Sequence, residues 1–130
     1  MLTLTFPNSG TAHITLNRPE VHNAFNAALI GEITDTFTKL SARAGLRAVI
    51  ISGNGKSFSA GGDLTWMKQV AAFSRDENLQ DAGALAAMLS AIYTCPVPVI
   101  AVVHGAVMGG GVGLASAADI VIASQDAKFA

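Results

Sequence analysis

A short apolar run that leads directly into a cluster of glycines constrains this chain more than any other feature. The uninterrupted run from Val97 to Val103 predicts a strand that is buried on both faces. The next helix, suggested by residues 114–118, is preceded by Gly109, Gly110, Gly111 and Gly113. Without Cβ atoms a ligand can lie against bare backbone, and the first N–H groups of a helix have no helical partner. We interpret this turn as half of an oxyanion hole, a site for charge that forms in a transition state.

An earlier stretch follows the same plan. Leu46 to Ile51 predicts another buried strand, a glycine-rich turn follows it, and Asp63 suits the first turn of the next helix. The two units, residues 46–64 and 97–114, indicate an internal structural repeat within one domain. If the two turns face each other, one backbone N–H from each can hold the same oxygen.

The other elements are predicted from apolar periodicity and from turn residues. They are a β-hairpin over residues 2–16, a helix from Val21 to near Gly45, a helix end and mobile loop over 65–82, a helix over 83–93 and a strand over 120–123.

Composition excludes several classes of protein. The 130 residues fit one domain, and a hydrophobic content of 51% predicts that some apolar surface meets another subunit or further chain. Eight basic and nine acidic residues leave no basic stripe for nucleic acid, and no apolar run approaches the roughly 18 residues of a membrane span. Cys95 is the only cysteine, and the amino terminus resembles no signal or transit peptide, so we expect a cytoplasmic protein.

Three motifs for nucleotide binding or for a catalytic nucleophile are incomplete in this sequence. A phosphate-binding P-loop ending at Gly55-Lys56-Ser57 would need a glycine where Ile50 stands. The dinucleotide pattern GxGxxG started at Gly109 reaches Leu114, and the nucleophile elbow GxSxG from Gly55 reaches Ser59. The three histidines have no metal-ligand spacing, and His104 is expected to be a hydrogen-bonded structural residue.

Two segments have distinctive sequences, SFSAGGDL over residues 57–64 and HGAVMGGGVGL over residues 104–114, and shorter ones lie at 16–19, 23–26 and 118–120. Together they resemble the enoyl-CoA hydratase/isomerase, or crotonase, family. The resemblance implies an α/β fold, a crotonase-like spiral of ββα units, of which residues 1–130 form the N-terminal portion without the helical C-terminal part. It implies homotrimers or hexamers that act on acyl-CoA thioesters. It also implies an oxyanion hole of two backbone N–H groups, which fall on Ala60 and Gly110.

The resemblance assigns further residues to substrate. It places His22 and Ala24 along the path of CoA, and it places the acyl chain near Trp66, Met67 and the loop that follows them. The resemblance also assigns a substrate-binding role to Gly61, Gly62, Asp63, Leu64, Gly111 and Gly113. Asp63 is expected to start a helix rather than to act as a base. No metal is expected, and no cofactor apart from the CoA of the substrate.

One departure from the family pattern limits the functional prediction. Hydratases of the family carry a catalytic glutamate where this chain has Gly113, and their second acid lies beyond the match to Ala130. Glycine cannot transfer a proton. We therefore expect hydration of a branched, α,β-unsaturated acyl-CoA of the methylglutaconyl type, with a Δ-isomerase or decarboxylase as one alternative. A non-catalytic acyl-CoA-binding subunit is the other.

Overall fold

Seven strands and four α-helices make up the computed structural model, which describes residues 1–130. The strands are β1 (Leu2–Asn8), β2 (Thr11–Leu16), β3 (Ala48–Gly53), β4 (Val99–Val103), β5 (Ala106–Val107), β6 (Ile120–Ala123) and β7 (Lys128–Phe129). The helices are α1 (Ala27–Ser41), α2 (Leu64–Val70), α3 (Arg75–Tyr93) and α4 (Gly110–Ala117), with a 3₁₀ turn at Pro19–Val21.

The main sheet has the order β1-β2-β3-β4-β6 and is mixed. β1 and β2 form the predicted antiparallel hairpin, and every later neighbour in this sheet is parallel. β5 and β7 pair separately as a short parallel ribbon. Both predicted strand-turn-helix units are present, as β3 followed by α2 and as β4 followed by α4. Since the carboxyl ends of parallel strands meet at one sheet edge, the two turns leave the sheet on the same side.

One apolar cluster joins the sheet to its helices. It contains alternate residues of β2, β3 and β4 and the inward stripe of α1, which is Leu29, Ile30, Ile33, Phe37 and Leu40. The prediction that β4 is buried on both faces was wrong. Val99, Ala101 and Val103 are buried, but Val102 between them is 38% exposed. Successive side chains of a strand point to opposite faces, so only one face of β4 lies in the core.

The first helix begins later than its apolar spacing predicted. Asn26 caps α1, because its side chain accepts a hydrogen bond from the Leu29 N–H at 2.9 Å. His22 and Asn23 have φ values of 53°, so this part of the chain cannot be α-helical. Phe25 instead forms a bridge with Gly62. The segment predicted as one helix from Val21 therefore contains the end of a 3₁₀ turn, an irregular corner at residues 22–23 and the true helix α1.

The predicted mobile loop over residues 65–82 is largely helical. α2 covers its first part, and α3 begins at Arg75, eight residues before the predicted start at Gly83. Ser74 caps α3 by accepting a hydrogen bond from the Glu77 N–H at 3.2 Å, and Asp76 and Glu77 complement the positive end of the helix. The first two turns of α3 are mostly exposed, which is why no apolar period marks them.

Several apolar side chains face solvent in this chain. In β6 every residue is exposed, and the large exposed side chains elsewhere include Leu64, Met67, Leu79, Tyr93 and Phe129. None of the four α-helices combines the length and the hydropathy that are needed to cross a bilayer.

The cap of α3 gives a direct stability test. Ser74→Ala should lower the free energy of unfolding by about 1 kcal/mol, because an orphan N–H at the helix start loses its acceptor. Ser90→Ala is the matched control, since Ser90 lies exposed inside the same helix and its hydroxyl makes no hydrogen bond. Urea denaturation of both variants measures the difference. Equal stabilities would mean that residues 75–82 do not form the first turns of α3.

Candidate functional site

Backbone hydrogen bonds join the two glycine-rich turns directly. The Phe58 N–H donates to the His104 carbonyl at 2.9 Å, and the Ser59 N–H donates to the Ala106 carbonyl at 3.1 Å. The Met108 N–H donates in return to the Ser59 carbonyl at 2.9 Å. Ser59 and Val107 therefore form a parallel bridge, and the two turns lie side by side as their repeated sequence plan suggested.

Glycine allows the two backbones to touch. A Cβ on Gly61, whose φ is +89°, would stand 3.0 Å from the Met108 carbonyl oxygen and 3.7 Å from the Gly109 Cα. A Cβ on Gly111 would stand 2.8 Å from the Ser59 carbonyl oxygen. Such contacts exclude ordinary side chains, so glycine at these two positions allows the two turns to approach each other closely.

Next to this contact, over residues 60–63 and 108–111, two amides have no acceptor within the protein. They are the N–H groups of Gly62 and Gly110, each of which follows directly on one of the touching residues Gly61 and Gly109. The prediction placed the first donor on Ala60 instead, and the hydrogen bonding contradicts it. The Ala60 N–H donates to the His22 carbonyl at 2.9 Å, so it is already engaged. Within residues 60–63 the free donor belongs to Gly62.

Asn23 stabilises the corner that the chain makes at residues 22–23, and the sequence alone assigned it no role. Its side chain is fully buried, and its amide donates to the carbonyls of Asn54 at 2.9 Å and Ser57 at 3.0 Å. Its Oδ1 accepts the Arg18 N–H at 2.8 Å, and its carbonyl accepts the Ser59 hydroxyl. The residue type was the signal available in the sequence, since asparagine tolerates left-handed backbone better than most residues, and Asn23 has a φ of 53°.

Asp63 performs the structural role that was predicted for it. Its Oδ1 accepts hydrogen bonds from the Thr65 and Trp66 N–H groups and so caps α2. Its Oδ2 pairs with Arg18 at 3.1 Å, and both side chains are largely shielded. The Trp66 N–H, with further help from Arg18 and the Thr65 N–H, holds the pKa of Asp63 below its ordinary value. A carboxylate bound in this way is a poor base.

A cleft of about 530 Å³ brings together most of the residues that the resemblance assigned to substrate. Its walls contain His22, Ala24, Ala60, Gly62, Asp63 and Leu64, together with Val21 and Thr65. Gly61 is buried beside it. Gly110, Gly111 and Gly113 do not line this cleft, because they lie in α4. A Cβ on Gly113 would be 3.8 Å from Leu89 of α3, an ordinary contact, so this position has room for a side chain.

The histidines His104 and His22 form hydrogen bonds within the fold. The His104 Nε2 lies 2.7 Å from the Gly55 carbonyl oxygen, which confirms that this histidine is hydrogen-bonded structure. The His22 Nδ1 lies 3.1 Å from the Ser57 hydroxyl. Nowhere do three His, Cys, Asp or Glu side chains come together in a group that could hold a metal ion.

Fold and site together define a class of protein. The chain is a mixed α/β spiral of repeated units in which two glycine turns meet beside a cleft, each with a free backbone N–H. The solved enoyl-CoA hydratase of Shewanella pealeana superposes with a TM-score of 0.95 at 38% identity, covering 98% of this chain and 48% of that one. The crotonase fold predicted from the sequence is therefore confirmed.

The sequence comparisons then identify the family. The enoyl-CoA hydratase/isomerase family matches residues 7–130, and the chain belongs to that family. The mitochondrial Delta(3,5)-Delta(2,4)-dienoyl-CoA isomerase of Mus musculus is 42% identical over 90% of this chain and 38% of its own length. A (7aS)-7a-methyl-1,5-dioxo-2,3,5,6,7,7a-hexahydro-1H-indene-carboxyl-CoA hydrolase of Mycobacterium tuberculosis is 38% identical over 98% of this chain and 51% of its own length. The chain thus spans about half the length of the relatives it matches, or less.

The capping carboxylate gives a pH-dependent prediction. Because the folded-state pKa of Asp63 is lowered, the folded protein binds fewer protons than the unfolded chain, and stability is lost as pH falls below about 4. Asp63→Asn keeps a capping oxygen but removes the charge, so its unfolding free energy should depend less on pH in this range. Urea denaturation between about pH 3 and pH 6 measures the slope.

Asp35→Asn is the control for that experiment. Asp35 is an exposed carboxylate of α1 with no ion pair, and its removal should leave the slope nearly as it is in the unmodified protein. An Asp63→Asn variant with an unchanged slope would show that the cap and the Arg18 pair contribute nothing to acid stability.

Proposed function

We propose that the protein containing this chain acts on an acyl-CoA thioester and holds the thioester oxygen between the N–H groups of Gly62 and Gly110. One observation carries the proposal: these two amides are unpaired, and they belong to turns that touch at Gly61 and Gly109. Gly62 and Gly110 are half-buried. Backbone donors that are shielded from water are nearly always paired in folded proteins, so two free donors beside one contact support an acceptor supplied by a ligand.

The chemistry needs two donors of this kind. When a nucleophile adds at Cβ of an α,β-unsaturated thioester, or when a proton leaves Cα, the carbonyl oxygen gains enolate charge. Fixed N–H donors bind that charge more strongly than they bind the neutral carbonyl, which lowers the barrier. A single donor is typically worth about 3 kcal/mol. The donors come from rigid, mutually bonded turns and need no rearrangement when charge develops.

Hydration of an unsaturated acyl-CoA is the reaction we favour, and branching of the acyl chain is part of the proposal. Isomerisation is the second candidate, because it passes through the same enolate and because the similar mouse protein is named as a dienoyl-CoA isomerase. Decarboxylation would also use such an enolate, and a non-catalytic thioester-binding subunit would use the same oxygen site. Gly113 supplies no acid, and Asp63 is committed to its cap and to Arg18, so neither position provides a proton-transfer group.

Two paths leave the proposed oxygen site. The cleft at His22 and Ala24 suits the CoA moiety, whose pantetheine arm would pass along the backbone near Gly62. The acyl chain would pass Met67 and Trp66. Their side chains come within 3.0 Å and 3.7 Å of the place where a Cβ on Gly62 would stand, which supports their position next to the thioester.

The remaining parts of the proposal concern assembly and compartment. We propose a homotrimer or a dimer of trimers in the cytoplasm that requires no cofactor beyond the CoA of its substrate and binds neither nucleic acid nor membrane. The exposed apolar strand β6 and the exposed Leu79 and Tyr93 support packing of this chain against further protein.

Position 62 gives the sharpest test of the mechanism. Gly62→Pro removes the N–H, and because that N–H bonds to no protein atom the fold should persist. We expect kcat in the complete protein to fall by about 10²–10³-fold. Gly62→Ala is the matched control, because it keeps the donor and its Cβ would contact only the flexible end of Met67 and the ring of Trp66. Steady-state kinetics of both variants on a short enoyl-CoA provide the measurement.

Retention of full activity by a folded Gly62→Pro protein would exclude this donor. Position 110 is a less clean test. A Cβ on Gly110 would stand 2.8 Å from the Phe25 ring, so any substitution there also disturbs the core.

A further inference from the structure

The hairpin turn between β1 and β2 forms one wall of a polar cleft that the proposed function does not use. The cleft has a volume of about 490 Å³, and Ala48 is the only apolar residue among the seven that line it. The other six are Asn8, Ser9, Gly10, Thr11, Gly45 and Arg47. No carboxylate is among them, so the one charged group in the lining is a cation.

Two polar side chains are held against this turn at Gly10. The Cδ, Cγ and Cβ atoms of Arg47 lie 3.1, 3.2 and 3.5 Å from the place where a Cβ on Gly10 would stand, so the stem of this arginine covers the turn. The Asn8 Oδ1 accepts the Gly10 N–H at 3.0 Å. The guanidinium begins one bond beyond Cδ, and the Asn8 amide nitrogen shares its carbon with Oδ1. Both groups of donors therefore lie beside Gly10.

The Arg47 guanidinium has no anionic partner within the chain. Both ion pairs of the chain lie elsewhere. No aspartate or glutamate occurs in residues 36–62, which contain Arg47, or in residues 1–19, which contain the hairpin. Arg43 places a second unpaired cation against the hairpin, because its guanidinium carbon lies 4.0 Å from the centre of the Phe6 ring in β1. The positive charge at this cleft is therefore uncompensated.

A phosphate group fits this set of donors better than a carboxylate. The planar guanidinium can bind two phosphate oxygens through parallel N–H bonds. The Asn8 amide and the hydroxyls of Ser9 and Thr11 are then available to the third oxygen, which a carboxylate lacks. A volume of about 490 Å³ also lies within the range of small-molecule pockets, so the cleft has room for a group esterified to the phosphate.

We propose that this cleft binds the phosphate group of a small phosphomonoester, with the Arg47 guanidinium as its main ligand. The site is separate from the two glycine-rich turns. Thr11 pairs with Ala48 where β2 and β3 begin, whereas the first glycine-rich turn follows the other end of β3 at Gly53. At a rise of about 3.3 Å per residue the two ends of β3 are about 17 Å apart. The inference therefore goes beyond the proposed function and does not depend on it.

Isothermal titration calorimetry of the complete protein tests the proposal without turnover. Inorganic phosphate, glycerol 3-phosphate and acetate are titrated at one constant ionic strength, because salt screens exposed charges. We expect glycerol 3-phosphate to bind at least as tightly as inorganic phosphate, since the cleft has room for the ester group. Acetate should bind about tenfold more weakly than either, because it has one acceptor oxygen fewer and a smaller charge.

Two variants assign the binding to the cleft. Arg47→Gln keeps the Cβ, Cγ and Cδ atoms that cover Gly10 but removes the guanidinium, so the affinity for glycerol 3-phosphate should fall about tenfold or more. Arg75→Gln is the matched control, because it removes the same charge from an exposed position of α3 that forms no ion pair, and its affinity should be unchanged.

Four results would overturn the inference. They are no binding of either phosphate, acetate binding as tight as phosphate binding, an unchanged affinity in Arg47→Gln, and an equal loss of affinity in both variants. An ester that binds more weakly than inorganic phosphate would overturn its assignment to a phosphomonoester.

Discussion

Three backbone hydrogen bonds between residues 58–59 and 104–108 determine most of what this chain can do. They join two turns that are far apart in sequence and place Gly61 against Gly109. Because parallel β3 and β4 deliver the two turns to the same sheet edge, the bonds need little distortion. The amides that follow this contact, those of Gly62 and Gly110, have no partner within the protein. Main-chain atoms thus define the site, and the side chains around it act mainly as supports.

The corner at His22 and Asn23 decides which amide of the first turn is free. Both residues have left-handed backbone, which directs the His22 carbonyl at the Ala60 N–H. That bond removes Ala60 from the list of donors. Asn23 stabilises the strained corner, since its buried side chain pairs with three backbone groups. Arg18 pairs with Asp63 at 3.1 Å, so an ion pair links the corner to the start of α2.

Sequence patterns were sufficient to predict the hairpin, the strands of the main sheet and the two strand-turn-helix units. Each has an apolar period or a glycine-rich turn, and the motif over residues 57–64 led to the family that the comparisons confirm. The start of α3 was missed because its first two turns are exposed, so no apolar period exists there. Ser74 followed by Glu77 is nevertheless a capping-box spacing and was a usable signal.

Whether Ala60 or Gly62 has the free N–H could not be predicted from the sequence, for a different reason. It depends on the direction of one carbonyl, which follows from positive φ at His22. Histidine adopts left-handed backbone more often than most residues, but its identity alone does not fix that conformation. The position of Arg47 beside the hairpin turn was hidden as well, because its stem packs against Gly10 of a separate segment. In both cases the information lies in contacts between distant segments rather than in local pattern.

A crystal structure of the complete protein with an unreactive acyl-CoA analogue would test the central claim most directly. The account predicts that the thioester oxygen lies about 3 Å from the nitrogens of both Gly62 and Gly110, while the Ala60 N–H stays on the His22 carbonyl. A thioester oxygen bound by Ala60, or one that lies beyond hydrogen-bonding distance of either glycine nitrogen, would contradict it.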